Sequence, residues 1–192
     1  MRLQPTPTFL VLALLAACQT APPGPPEEVA AQIVEALDTD RPAAASDLFD
    51  RVANETEHRE KIYPVLFEAA RERWEAGATR DSVALLRFLA EHYPEGRAVR
   101  EALLYGLMIE RARQQTPDPE LVEEMQDNLD YLREKPVDAP EWIDLIEVWV
   151  LIDRGRVTEA REVFGHFLAT WEGSPPSLML NVEDLDRYLK SH

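Results

Sequence analysis

The chain has 192 residues, 36 Asp and Glu against 20 Lys and Arg for a formal charge of −16, and one cysteine. That balance sets nucleic acid aside as a partner, because phosphate contacts need a net basic face. A single thiol rules out a disulfide within the chain, so packing must hold the fold; at this length one domain is expected.

Phe9 to Ala17 is an uninterrupted apolar run of nine residues, far short of the roughly 20 that a helix needs to cross a bilayer. Arg2 and the terminal amine supply a positive leader, so residues 1–17 read as a signal peptide and not as an anchor helix. The quartet Leu15, Ala16, Ala17, Cys18 resembles the lipobox of bacterial lipoproteins: an apolar residue, two small ones, then a thiol. The resemblance implies cleavage before Cys18 and covalent lipid on that thiol, the sole cofactor-like group expected. At about 0.8 kcal/mol per buried CH₂, two or three acyl chains hold a protein on a membrane essentially permanently. It also implies the outer membrane, facing the periplasm, since Gln19 is not the aspartate associated with inner-membrane retention. Without residues 1–17 the chain carries 19 basic and 36 acidic residues, a charge of −17.

Gln19 to Pro26 reads QTAPPGPP, four prolines in eight residues. With lipidated Cys18, residues 18–26 form a semi-extended tether that reaches roughly 25 Å at ~3.1 Å per residue. From Glu27 onward, over residues 27–192, strand-like alternation is absent and apolar residues recur every three and four, which predicts an all-α domain.

Four helix pairs are expected. Val29, Ile33, Ala36 and Leu37 mark the first helix, Asp40 to Pro42 a turn, and Ala45, Phe49 and Val52 the second. In the next pair Leu66, Ala69, Ala70 and Trp74 form a stripe that ends at Gly77, and Val83, Leu86 and Leu89 form another that stops at Tyr93 and Pro94. The third pair carries Gly106, thirty-six residues after Ala70. A turn TPDP follows, with Asp118 at an N-cap and Pro119 at the first helical position. The fourth turns at GRVTEA, with Gly155 closing one helix and Ala160, Phe164 and Phe167 opening the other. After a break at Glu172 to Pro176, Asn181 caps a last amphipathic helix bearing Val182, Leu185 and Leu189. Ala45, Ser82, Val122 and Ala160 each open a second helix, at steps of 37, 40 and 38 residues.

The stretch VLFEAARERWEAGATRDSVALLRFLAEHYP resembles a tetratricopeptide repeat, with Ala70 at the small interhelix position, Gly77 at the turn and Pro94 at the end. It departs where Ser82 replaces the usual alanine. The resemblance covers about residues 27–174 and implies an α-solenoid of about four helix hairpins with a C-terminal capping helix, which binds protein or peptide along a concave groove. Carried over by position, the groove lining is Phe67, Arg71 and Trp74, then Arg100, Leu103, Leu107 and Arg111, a basic and apolar set suited to an extended peptide or an acidic C-terminus. Trp142 and Trp149 read as core.

No catalytic or metal constellation is visible: His58, His92, His166 and His192 are scattered, and no Gly-rich phosphate loop exists. Asn54 begins a glycosylation sequon that carries no weight in a bacterial lipoprotein. Residues 27–58 sum to −7, 59–113 to +1, 114–147 to −9 and 148–192 to −2. Within the acidic block Glu120, Glu123, Asp127, Asp130 and Glu134 fall on one helix face, opposite Leu121, Met125 and Leu132, and Glu141, Asp144 and Glu147 extend the acid onto the next helix. Such a stripe is first a solvated face; its functional reading is a contact with cations or a basic partner. The expectation is therefore a lipid-anchored, non-enzymatic protein-binding scaffold. A cell-wall-acting enzyme using acids such as Glu123 and Asp127, and a small-ligand-binding lipoprotein, are the alternatives.

Overall fold

The structure, a computed structural model, describes residues 24–53, 56–134, 142–170 and 182–191. The signal peptide, Cys18, most of the tether, the Asn54 sequon, Glu141, the break at Glu172 to Pro176, Asn181 and His192 lie outside the described residues. Among those described, the chain is all-α, with nine helices and no strand. They are α1 (Pro26–Asp38), α2 (Pro42–Ala53), α3 (Thr56–Glu75), α4 (Thr79–His92), α5 (Arg97–Ala112), α6 (Pro119–Glu134), α7 (Trp142–Asp153), α8 (Val157–Thr170) and α9 (Val182–Ser191). None is long and apolar enough to cross a membrane. The chain divides into two compact units, residues 1–65 and 66–192. The division falls inside α3, one residue after Pro64, which cannot donate to the carbonyl four residues before it.

In the first unit α1 starts on Pro26, whose missing N–H would have had no partner there anyway, with Glu27 and Glu28 at the positive end of the helix dipole. It packs on α2 through Ile33, Ala30, Ala45 and Phe49, all buried. The end of α1 is closed by Asp40, at φ 56°, with Arg41 N–H donating to the Ala36 carbonyl at 2.8 Å and Asp40 N–H to the Leu37 carbonyl at 3.0 Å. These are the two bonds of a Schellman closure, made here without glycine. A left-handed conformation strains a residue that has a Cβ. Asp40→Gly is accordingly expected to raise stability by about 0.5–1 kcal/mol, read as a higher denaturation midpoint at unchanged m-value. A lower midpoint would show that the aspartate side chain stabilises the turn by more than its backbone costs.

In the second unit the same closure recurs twice with glycine. Gly77 (φ 78°) and Gly155 (φ 74°) end α3 and α7, and the 6→1 bonds run from Ala78 N–H to the Arg73 carbonyl at 2.9 Å and from Arg156 N–H to the Leu151 carbonyl at 2.8 Å. Helix α5 ends differently. Arg113 stays right-handed, and the next helix is started by Asp118, whose Oδ1 accepts from Glu120 N–H at 3.0 Å, as the TPDP turn predicts. Each helix from α4 to α9 packs on the next in sequence. The core lies between these pairs and includes Leu85, Leu89, Leu103, Leu104, Leu107, Met125 and Leu129. Helix α3 meets α4 where the buried Ser82 hydroxyl donates to the Ala70 carbonyl at 2.8 Å, so the serine that departs from the repeat pattern makes its own helix-to-helix bond. Gly106 marks a close approach of α5 to α4: a Cβ there would lie 2.5 Å from Val83 Cγ2 and 3.8 Å from the Trp74 ring.

Candidate functional site

Spacings of four and three put Phe67, Arg71 and Trp74 on one strip of α3, one position round from the buried Leu66 and Ala70. The strip faces Ala102 and Tyr105, three apart on α5, and Ser82 and Leu86 of α4 lie beneath. Because Ala70, Ser82 and Ala102 are small while their neighbours are large, the three helices leave a half-open pocket of about 240 Å³ among them. Its walls are almost wholly carbon. The Ser82 hydroxyl in its lining is already committed to the Ala70 carbonyl.

Tyr105 joins this pocket to the next helix. Its ring lies 5.5 Å from that of Trp74 and 5.8 Å from that of Trp142, tilted and edge-on respectively, so α3, α5 and α7 are linked by three consecutive aromatics. At the rim Arg71 is about half exposed and is held on both sides by its own helix, bonding Glu68 and Glu75. Its hydrogen bond to Glu68 lowers that carboxyl and raises the guanidinium, so both remain charged across the ordinary pH range.

The other four residues carried over to the groove have different positions. Leu103 and Leu107 are 2% and 0% exposed, so they pack helix against helix and cannot meet a partner. Arg100 donates to the Ala90 carbonyl at 3.0 Å, satisfying a carbonyl at the end of α4, and to Asn128 Oδ1 at 3.2 Å, with its guanidinium 5.1 Å from the Tyr131 ring. Arg111 forms a two-bond ion pair with Asp153 and lies 4.8 Å from the Trp149 ring. Both arginines tie helices together. The face of α5 that the pocket uses, at Ala102 and Tyr105, is the opposite one, roughly 180° away. Those two, with Ala70, Ser82 and Leu86, are the lining residues that the sequence did not assign to the groove. The signal on α5 was a small residue three before an aromatic, opposite the small Ala70.

Trp142 and Trp149 are half-buried, one against Tyr105 and the other under Arg111. On α6, Glu120, Glu123, Asp127, Asp130 and Glu134 are all exposed, with Leu121, Met125 and Leu132 buried behind them. Pro119, Glu120, Glu123, Glu124 and Asp127 border a shallow open hollow. Glu124, outside the stripe, is drawn away by Arg87, which also bonds Glu110, and Arg133 takes Asp144 and Glu147. Among the described residues no three His, Cys, Asp or Glu side chains are grouped to hold a metal ion.

No family model matches the sequence, and neither a curated protein nor a solved structure gives a significant match.

Proposed function

We propose that this chain is a protein-binding scaffold, anchored by lipid on Cys18 to the outer membrane and facing the periplasm, where it serves as an accessory of envelope complex assembly. The observation that carries the binding reading is the apolar pocket of Phe67, Trp74 and Tyr105, which stays half open in a domain whose other large apolar side chains are mostly buried. Support for a repeat architecture comes from the recurring helix closures at Asp40, Gly77 and Gly155, 37 and 78 residues apart, one and two repeat lengths. Contacts across helices recur at the same distance: Tyr105 to Trp142 and Arg87 to Glu124 are each 37 residues apart. A tetratricopeptide-like solenoid of helix hairpins, with α9 covering the last of them through Leu185 and Leu189, accounts for these regularities.

The binding reading is tested by in-cell crosslinking of wild type against Ala102→Leu, which fills the pocket from a partly exposed position. The filled variant is expected to lose the crosslinked partner while keeping its helical circular dichroism. Retention of the same partner at the same yield overturns the assignment. The enzymatic alternative is disfavoured because Glu123 and Asp127 are exposed to solvent, where neither carboxyl is shielded enough to act as a general acid.

The anchor is tested separately. Mass spectrometry of the N-terminal peptide is expected to find acylated Cys18, and Cys18→Ser is expected to move the protein from the membrane to the soluble fraction. An unmodified thiol on a membrane-bound protein would dismiss the lipid.

A further inference from the structure

We infer, on the strength of that binding reading, what the docking segment is: a stretch of polypeptide with one large apolar side chain, aromatic or leucine-like, flanked by Lys or Arg. Size comes first. Pockets for cofactors and drug-sized molecules begin near roughly 300 Å³, and about 240 Å³ is closer to one anchoring side chain. The lining is almost wholly carbon and the Ser82 hydroxyl is already engaged, so little in the interior orients a polar ligand, whereas the faces of Phe67, Trp74 and Tyr105 suit an apolar one.

Charge then separates basic flanks from acidic ones. The sequence alone points to an acidic peptide, because arginines are carried over to the groove. Arg100 and Arg111, however, are committed to other helices, and Arg71 alone reaches the pocket. Arg71 stands between Glu68 and Glu75, and Glu72 is exposed beside them. Residues 68–75 of α3 thus carry three exposed carboxylates against the exposed Arg71 and the part-buried Arg73. Residues 59–113 as a whole sum to +1, so it is the placement of these carboxylates on both sides of Arg71, and not the charge of the segment, that favours a basic flank. A carboxylate-flanked peptide would have to displace Glu68 or Glu75 from Arg71, while a basic flank meets exposed carboxylates and aromatic faces.

The test uses three fluorescein-labelled peptides that share a central phenylalanine and differ only in having lysine, serine or glutamate on both sides. They are titrated by anisotropy against the full-length protein in detergent. The lysine-flanked peptide is expected to bind at least about tenfold more tightly than the glutamate-flanked one. That advantage should shrink between ~0.02 and ~0.3 M salt as screening sets in. Ala102→Leu and Phe67→Ala, checked for helicity, should each abolish binding. If the glutamate peptide binds as well or better and Ala102→Leu still abolishes it, the charge inference is overturned and the pocket stands. If no peptide binds, or the lysine peptide binds both variants like wild type, the pocket itself is the wrong site.

Discussion

Arg111→Met is expected to destabilise the second unit by about 3–5 kcal/mol, the usual result of leaving a buried charge without its partner. Asp153 shows only 5% of its side chain to solvent and Arg111 17%. The Asp153 carboxylate accepts two parallel bonds, from Arg111 Nε at 2.7 Å and from Nη2 at 2.5 Å. Removing the guanidinium leaves that carboxylate desolvated between α5 and α7 and strips the cation from the face of Trp149. Lysine keeps a charge but loses the fork, so Arg111→Lys should fall between wild type and Arg111→Met. In a protein of this size a loss of about 3 kcal/mol lowers the melting temperature by roughly 6–12 °C. The double variant Arg111→Met/Asp153→Leu should regain most of the loss, because an apolar pair leaves no charge behind. A melting temperature unchanged by Arg111→Met would mean that water reaches Asp153.

Gly106→Leu is expected to cost about 3 kcal/mol or more, and the smaller Gly106→Ala decides why. In an exposed helix, Gly to Ala gains about 1 kcal/mol from helix propensity. Here the added Cβ would sit 2.5 Å from Val83 Cγ2, a separation that forces a backbone or side-chain shift. Overpacking of this kind costs typically about 1–3 kcal/mol, so the clash should outweigh the propensity and Gly106→Ala should be net destabilising. Val83→Ala, harmful alone because Val83 is fully buried, should cost less when combined with Gly106→Ala, with a coupling of about 1 kcal/mol or more. Since the Trp74 ring is next to the same position, the leucine should also perturb Trp74 fluorescence. A Gly106→Ala variant more stable than wild type would show that α4 and α5 can move apart at little cost.

The all-helical character and several helix ends were legible in the sequence because local rules set them, though the ten residues of α3 before Leu66 were not. Gly77 and Gly155 supply the left-handed backbone that a helix closure needs, and Asp118 and Pro119 start α6 through a bond to the nearby Glu120. Part of the candidate site was legible, since Phe67, Arg71 and Trp74, carried over from the resemblance to a tetratricopeptide repeat, share one strip of α3 and line the pocket. The α5 half was not. That helix is sandwiched between neighbours, so Val99, Leu103, Leu104, Leu107 and Met108 are all buried and the apolar sector is wide. A wide buried sector does not reveal that the strip left outside it, here Ala102 and Tyr105, borders open space. The roles of the arginines were hidden by distance along the chain. Arg111 finds its carboxylate 42 residues away, and Arg100 finds Asn128 28 residues away; nothing local ranks those partners above an external one.

The packing of every helix from α4 to α9 on its immediate successor bears on how quickly this unit forms. Contacts between sequence neighbours close short loops, and chains rich in such contacts cross their folding barrier in microseconds to milliseconds, well ahead of sheets that pair distant segments. A chain of this kind can nucleate at any one hairpin and grow outward in both directions, without waiting for its two ends to meet. As the chain is synthesised, each of these helices can pack on its predecessor as it emerges, and little apolar surface need wait for residues still to come.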